Sequence, residues 1–100
     1  MIEVTEQELI VRSPAPRVSE QSIKDKIAST YFHVPPGTTL TICVLTLWNG
    51  FTVVGESACV SPANFSKEIG QSIAFSNAFE KIWALEGYRL RSQLYEASND

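Results

Sequence analysis

Two arginines stand close together in "KIWALEGYRLR", residues 81–91: Arg89 and Arg91, separated by Leu90. The chain has eight basic residues in all, so the pairing points to one chemistry first. Guanidinium groups grip phosphate through charge-assisted, often bidentate hydrogen bonds. On a helix the two would point about 200° apart, so one ligand reaches both only across a subunit interface. The alternative is a pair of solvated side chains. Trp48 and Phe51 flank Asn49-Gly50. Their rings could stack a nucleobase or staple the turn to a helix. Glu56, between Gly55 and Ser57, is either an acceptor for a ligand amine or hydroxyl, or the partner of a lysine or arginine. Asn64 and Asn77 are further polar candidates, residues that more often serve as caps or surface groups. The candidate ligand-binding set is Trp48, Phe51, Glu56, Asn77, Arg89 and Arg91.

Catalysis has weaker support. His33 is the only histidine and precedes "PPG", which reads as a surface or capping position. Cys43 and Cys59 lie inside apolar runs, where a thiol is ordinarily inert. Their spacing is not that of metal ligands, and a structural zinc needs about four converging donors. No P-loop, nucleophile elbow, metalloprotease or dinucleotide fingerprint appears. The expectation is a protein that is not an enzyme, with no catalytic residue, metal or cofactor.

The elements that must position these residues follow from pattern. "SPAPR" (13–17) carries two prolines and breaks any helix before it. Thr5 and Glu8 have capping-box spacing and suggest a helical turn. Ser19 can cap a helix over 19–29, with Val18, Ile23 and Ile27 on one side. Residues 30–60 are rich in β-branched and aromatic types and read as antiparallel strands. Asn49-Gly50 predicts a two-residue type I′ turn. That register sets Thr46 opposite Val53 and Val44 opposite Gly55. It puts Leu40, Ile42, Val44, Trp48, Phe51, Val53 and Cys59 on one face, and Cys43, Leu45, Leu47, Val54, Glu56, Ala58 and Val60 on the other. The cysteines then point apart and stay reduced. Both faces are apolar, so each needs a cover, and a second copy of the chain is the economical one.

Ser61-Pro62 predicts the start of a C-terminal helical part over 61–94. Phe65, Ile69, Ile73, Phe79, Ile82 and Trp83 form its apolar stripe, with Lys67, Asn77 and Lys81 facing away. Gly87 either ends the helix or sits inside it; continued helix is favoured over strand for "YRLRSQLY". The fold class is therefore α+β: a small antiparallel sheet centred on a β-hairpin, with an N-terminal helix and a longer C-terminal helix, in one domain over 1–100.

Composition bounds the partners. An apolar fraction of 44% with 19% charged residues is a globular balance. A net charge of −3 argues against a nucleic-acid polymer as partner. No apolar run approaches the roughly 18 residues of a membrane span. The acidic start "MIEVTEQELIV" lacks the basic region of a signal peptide, so a cytosolic location is expected.

The ordered strings "TLTICVLTLWNGF", "GESACV", "PANF" and "KIWALEGYRL" resemble the small bacteriophage family named after gene product 49 of one phage and gene 66 of another. The resemblance runs over roughly residues 30–94 and implies phage origin and expression in a bacterial host. More distantly, the chain is similar to the phage anti-Thoeris proteins. That resemblance implies a sponge, which binds a cyclic ADP-ribose-type immune messenger, with relatives capturing cyclic oligonucleotides of CBASS, and does not cleave it. It also implies dimers or higher homo-oligomers with pockets between subunits. It supplies no binding motif that aligns residue by residue, so the six candidates rest on their own chemistry. The alternatives are a phage early protein that binds and modulates a host protein through an apolar sheet face, and, last, a cyclic-nucleotide hydrolase.

Overall fold

A computed structural model describes residues 16–98; the helical turn expected at Thr5 and Glu8 lies outside them. Helix α1 (Glu20–Lys24) precedes three strands, β1 (Ile27–His33), β2 (Leu40–Leu47) and β3 (Thr52–Ala58). A 3-10 turn over Pro62–Asn64 then leads into helix α2 (Lys67–Ser98). The strands form one antiparallel meander in the order β1-β2-β3, so the α+β class read from the sequence holds.

Helix α1 starts where Ser19 caps it: the Ser19 hydroxyl accepts from Ser22 N–H, and Ser22 Oγ accepts from Ser19 N–H. It covers five residues rather than the expected run to residue 29. So short a helix is marginal alone and is held by burial of Ile23. From Ile27 onward the backbone pairs with β2 instead. Ala28 forms a bulge there, because Ile27 faces Leu47 while Ser29 already faces Thr46.

The β2–β3 turn corrects the expected register. Leu47 N–H donates to Phe51 C=O at 2.8 Å, and Gly50 N–H donates to Leu47 C=O at 2.9 Å. Gly50 has φ +88°, whereas Asn49 does not have positive φ. The loop is therefore three residues, Trp48–Gly50, a turn closed by a left-handed glycine rather than a type I′ pair. Asn49 Oδ1 accepts from Phe51 N–H and stabilises that choice. The extra residue slips β3 by one and swaps its faces. Leu45 faces Val53, Cys43 faces Gly55, and Ile42, not Cys43, faces Glu56.

One face now gathers Thr41, Cys43, Leu45, Leu47, Val53 and Gly55, all buried. The other carries Tyr31, His33, Ile42, Val44, Val54 and Glu56. Both cysteines are free, but not because they point apart. Cys43 faces Gly55, and Cys59 lies four residues further along, about 13 Å at strand rise.

Helix α2 is continuous through Gly87 to Ser98. Its N-cap is Ser66, whose Oγ accepts from Ile69 N–H, not Ser61, which caps the 3-10 turn without a side-chain bond. The buried seam of α2 is Gly70, Ala74, Ala78 and Ile82. Small residues four apart let the helix lie directly on the sheet. Ile69 and Ile73, expected in the stripe, are 62% and 46% exposed, while Phe75, Phe79 and Trp83 flank the core half-buried. Gly55 marks the closest approach: a Cβ there would sit 2.2 Å from Ala74 O and from Ala78 N. Asn77 and Lys81 do not face away from the fold. They reach the outer edge of β3, where Asn77 Nδ2 donates to Glu56 C=O at 2.8 Å and Lys81 Nζ donates to Val54 C=O. Edge carbonyls that would template another strand are thereby occupied.

Candidate functional site

The slip at Gly50 throws Trp48 and Phe51 out of the core, and they are 60% and 54% exposed. The backbone beneath them is fixed. Trp48 N–H donates to Lys26 C=O at 2.8 Å, tying the hairpin tip to the corner between α1 and β1. Helix α2 passes beside this tip one turn beyond its last buried residue, Ile82, and presents Leu85, Glu86 and Arg89. Together with Leu47, Trp48, Asn49 and Phe51 these residues line a cleft of about 370 Å³, within the size range of small-ligand pockets.

The Arg89 guanidinium carbon lies 5.6 Å from the centroid of the Trp48 ring, a cation–π distance worth about 0.5–1 kcal/mol at an exposed site. Glu86 fixes the charges. Its carboxylate, 15% exposed, takes Lys26 Nζ at 3.2 Å and Arg89 Nη1 at 3.6 Å. The cleft thus brings two exposed aromatic side chains beside a guanidinium, with buried Leu47 and partly exposed Leu85 in its lining. Such a surface accepts a flat ring and an adjacent negative group.

Of the six candidates, the structure brings Trp48, Phe51 and Arg89 together. Glu56 and Asn77 meet elsewhere, at the β3 edge, where Asn77 binds the Glu56 backbone and the carboxylate stays exposed on the open sheet face. Arg91 is exposed and lines no part of this cleft. Glu86 and Lys26 were not among the candidates. The Glu86–Arg89 spacing of three on a helix is a local signal for the first. Nothing local signals Lys26, which arrives through the fold.

Among the described residues, no group of three histidine, cysteine or acidic side chains gathers as a metal site. His33 sits at the far end of β1, its ring stacked on Tyr31 with centroids 6.4 Å apart. Burial pushes the Cys43 thiol pKa up by desolvation, so this sulfur is held protonated in the core. Among the described residues no helix is long and apolar enough to cross a membrane.

No curated protein and no solved structure matches the chain. The family described as phage protein (N4 Gp49/phage Sf6 gene 66) matches over residues 18–94, a span that takes in every described strand and all but the last turn of α2. By that match over most of its length, the chain belongs to the N4 Gp49/Sf6 gene 66 family of bacteriophage proteins.

Proposed function

We propose that this phage protein is an anti-defence sponge: it binds a nucleotide second messenger of host immunity in the Trp48–Phe51–Arg89 cleft and holds it without cleaving it. The messenger is a cyclic ADP-ribose isomer of the Thoeris type, with cyclic oligonucleotides of CBASS as the related class. One observation carries the reading, the Arg89 guanidinium poised 5.6 Å over an exposed tryptophan ring. It sets a guanidinium able to bind phosphate beside an aromatic ring that is 60% exposed. The protein acts in the cytoplasm of the infected host and needs no cofactor, since mass action alone depletes a messenger bound tightly by an abundant trap. Copies of the chain meet through the open sheet face, as a dimer or larger homo-oligomer.

The test is thermal stabilisation of the purified protein by cyclic ADP-ribose isomers, followed by recovery of the ligand. The expected result is a raised melting temperature and intact nucleotide; release of cleaved nucleotide would replace the sponge by an enzyme. A second reading has its own observation. Tyr31 and Val54 are 60% and 41% exposed on the open sheet face, a surface suited to a host protein that the phage inhibits or redirects. A stoichiometric host protein that binds the wild type, is lost with Val54→Lys, and is indifferent to nucleotide would favour that reading.

A further inference from the structure

Helix α2 has an outer face that stays open. At about 100° per residue, Glu80, Ala84, Gly87, Tyr88, Arg91 and Tyr95 fall in one band, about 100° wide, on the side opposite buried Ile82. All six are exposed except Gly87, which is partly so. Two features of this face have no role within a single chain. Gly87 sits in the helix interior, where glycine is destabilising relative to alanine, yet a Cβ there would meet nothing within 4 Å. Gly55 and Gly70, by contrast, lie against atoms that a Cβ would strike. The second feature is a pair of opposite charges. Glu80 and Arg91 make no ion pair with any described residue. They stand about 16 Å apart along the helix, out of each other's reach.

Charge and spacing choose the occupant. Glu80 and Arg91 lie equally far from the point midway between Ala84 and Gly87, about 8 Å along the helix in opposite directions. A two-fold axis through that point sets α2 antiparallel to the α2 of a second copy. Glu80 of each copy then stands across from Arg91 of the other, and two ion pairs close at once. The small side chains of Ala84 and Gly87 fall at the crossing, where they let the two backbones approach. We propose that the outer face of α2 is an isologous contact between two copies of the chain, with reciprocal Glu80–Arg91 pairs on either side of an Ala84–Gly87 crossing. Arg91, which lines no part of the hairpin-tip cleft, acts here instead. The contact lies on the opposite side of the protomer from the open sheet face, and it does not depend on a nucleotide. A chain with contacts on both sides builds assemblies larger than a dimer.

The experiment is sedimentation equilibrium of the full chain carrying Val54→Lys, which sets aside the sheet face, at low ionic strength and without nucleotide. Glu80→Arg, Arg91→Glu, the double exchange and Gly87→Ala are compared in that background, with helix content checked by circular dichroism. Each single reversal places like charges across from one another at both ends of the crossing. It is expected to raise the dimer dissociation constant about tenfold or more. The double exchange is expected to bring the constant back to within about threefold, the signature of a reciprocal pair. Gly87→Ala separates the two states: it should raise the melting temperature of the dissociated chain and weaken dimerisation. A host protein, or another segment of this chain, as the true occupant gives no self-association to weaken, or single reversals that the double exchange does not rescue. Either result overturns the contact between copies, as does a Gly87→Ala that stabilises the chain and leaves dimerisation unchanged. The nucleotide reading stands or fails separately, since no step of this test uses the hairpin-tip cleft.

Discussion

At the scale of single residues, two buried side chains give sharp expectations. Thr41 is fully buried on β2, and its Oγ1 finds no hydrogen-bond partner among the described residues. An unsatisfied buried hydroxyl costs about 1–3 kcal/mol. Thr41→Val keeps the branched shape and removes that cost, so it should stabilise the protein by about 1 kcal/mol, read as a shift in the urea midpoint. Cys43 works through its proton. Desolvation raises its pKa in the folded state, so its contribution to stability is complete below the ordinary thiol range. It is lost as pH climbs through the raised value, because the unfolded thiol ionises first. A disulfide reagent at neutral pH should therefore titrate the half-buried Cys59 in the native protein and reach Cys43 only in denaturant. Equal reaction rates for the two native thiols would contradict the buried placement. The candidate residues are legible by type: Trp48 and Phe51 as aromatic faces and Arg89 as a guanidinium, and these three meet. Glu56, Asn77 and Arg91, legible as an acceptor, a polar amide and a guanidinium, do not join them, because residue type says nothing about which face a residue occupies.

At the scale of elements, face assignment turned on one backbone angle. Asn49-Gly50 is the strongest short hairpin signal, yet only Gly50 takes positive φ, and the third loop residue reverses every side chain of β3. The dipeptide is compatible with both turns; the three-residue form observed carries the bond from Phe51 N–H to Asn49 Oδ1 and the register that sets Leu45 opposite Val53. The seam of α2 was hidden for a different reason. Hydrophobic periodicity weights large side chains, and this helix buries small ones so that it can approach Gly55. Gly55→Ala measures that approach directly. Its Cβ would meet helix backbone, not a movable side chain, so α2 must lift from the sheet, at a cost of about 3 kcal/mol or more. A loss under 1 kcal/mol in chemical denaturation would show that the contact is looser than described. The cap of α1 was plain in the sequence, whereas its length was not, since strand pairing from Ile27 depends on a partner twenty residues away.

At the scale of the whole molecule, the described residues extend 56 × 34 × 18 Å with a radius of gyration of 17.0 Å, well above the roughly 13 Å of a compact chain of this length. The cause is α2. Its 32 residues exceed the sheet, its last buried residue is Ile82, and beyond it Tyr88, Leu94 and Tyr95 stand 77%, 40% and 59% exposed. Both helices pack on one face of the sheet, which leaves Tyr31, Ile42, Val44 and Val54 without a cover from the described residues. Apolar surface of this kind is what self-association covers. Light scattering should report a dimer or larger assembly, and Val54→Lys should shift it toward monomer without lowering the monomer's helix content. A wild type that is monomeric at every concentration would remove the sheet face as an interface.

What enters the cleft at the hairpin tip decides the proposed function. Native mass spectrometry of the protein incubated with cyclic ADP-ribose isomers, beside Trp48→Ala and Arg89→Gln, tests this most directly. The expected spectrum shows intact nucleotide bound to the wild-type assembly, with occupancy at least tenfold lower in both variants. Nucleotide absent from the wild type, or held equally by all three proteins, would contradict it.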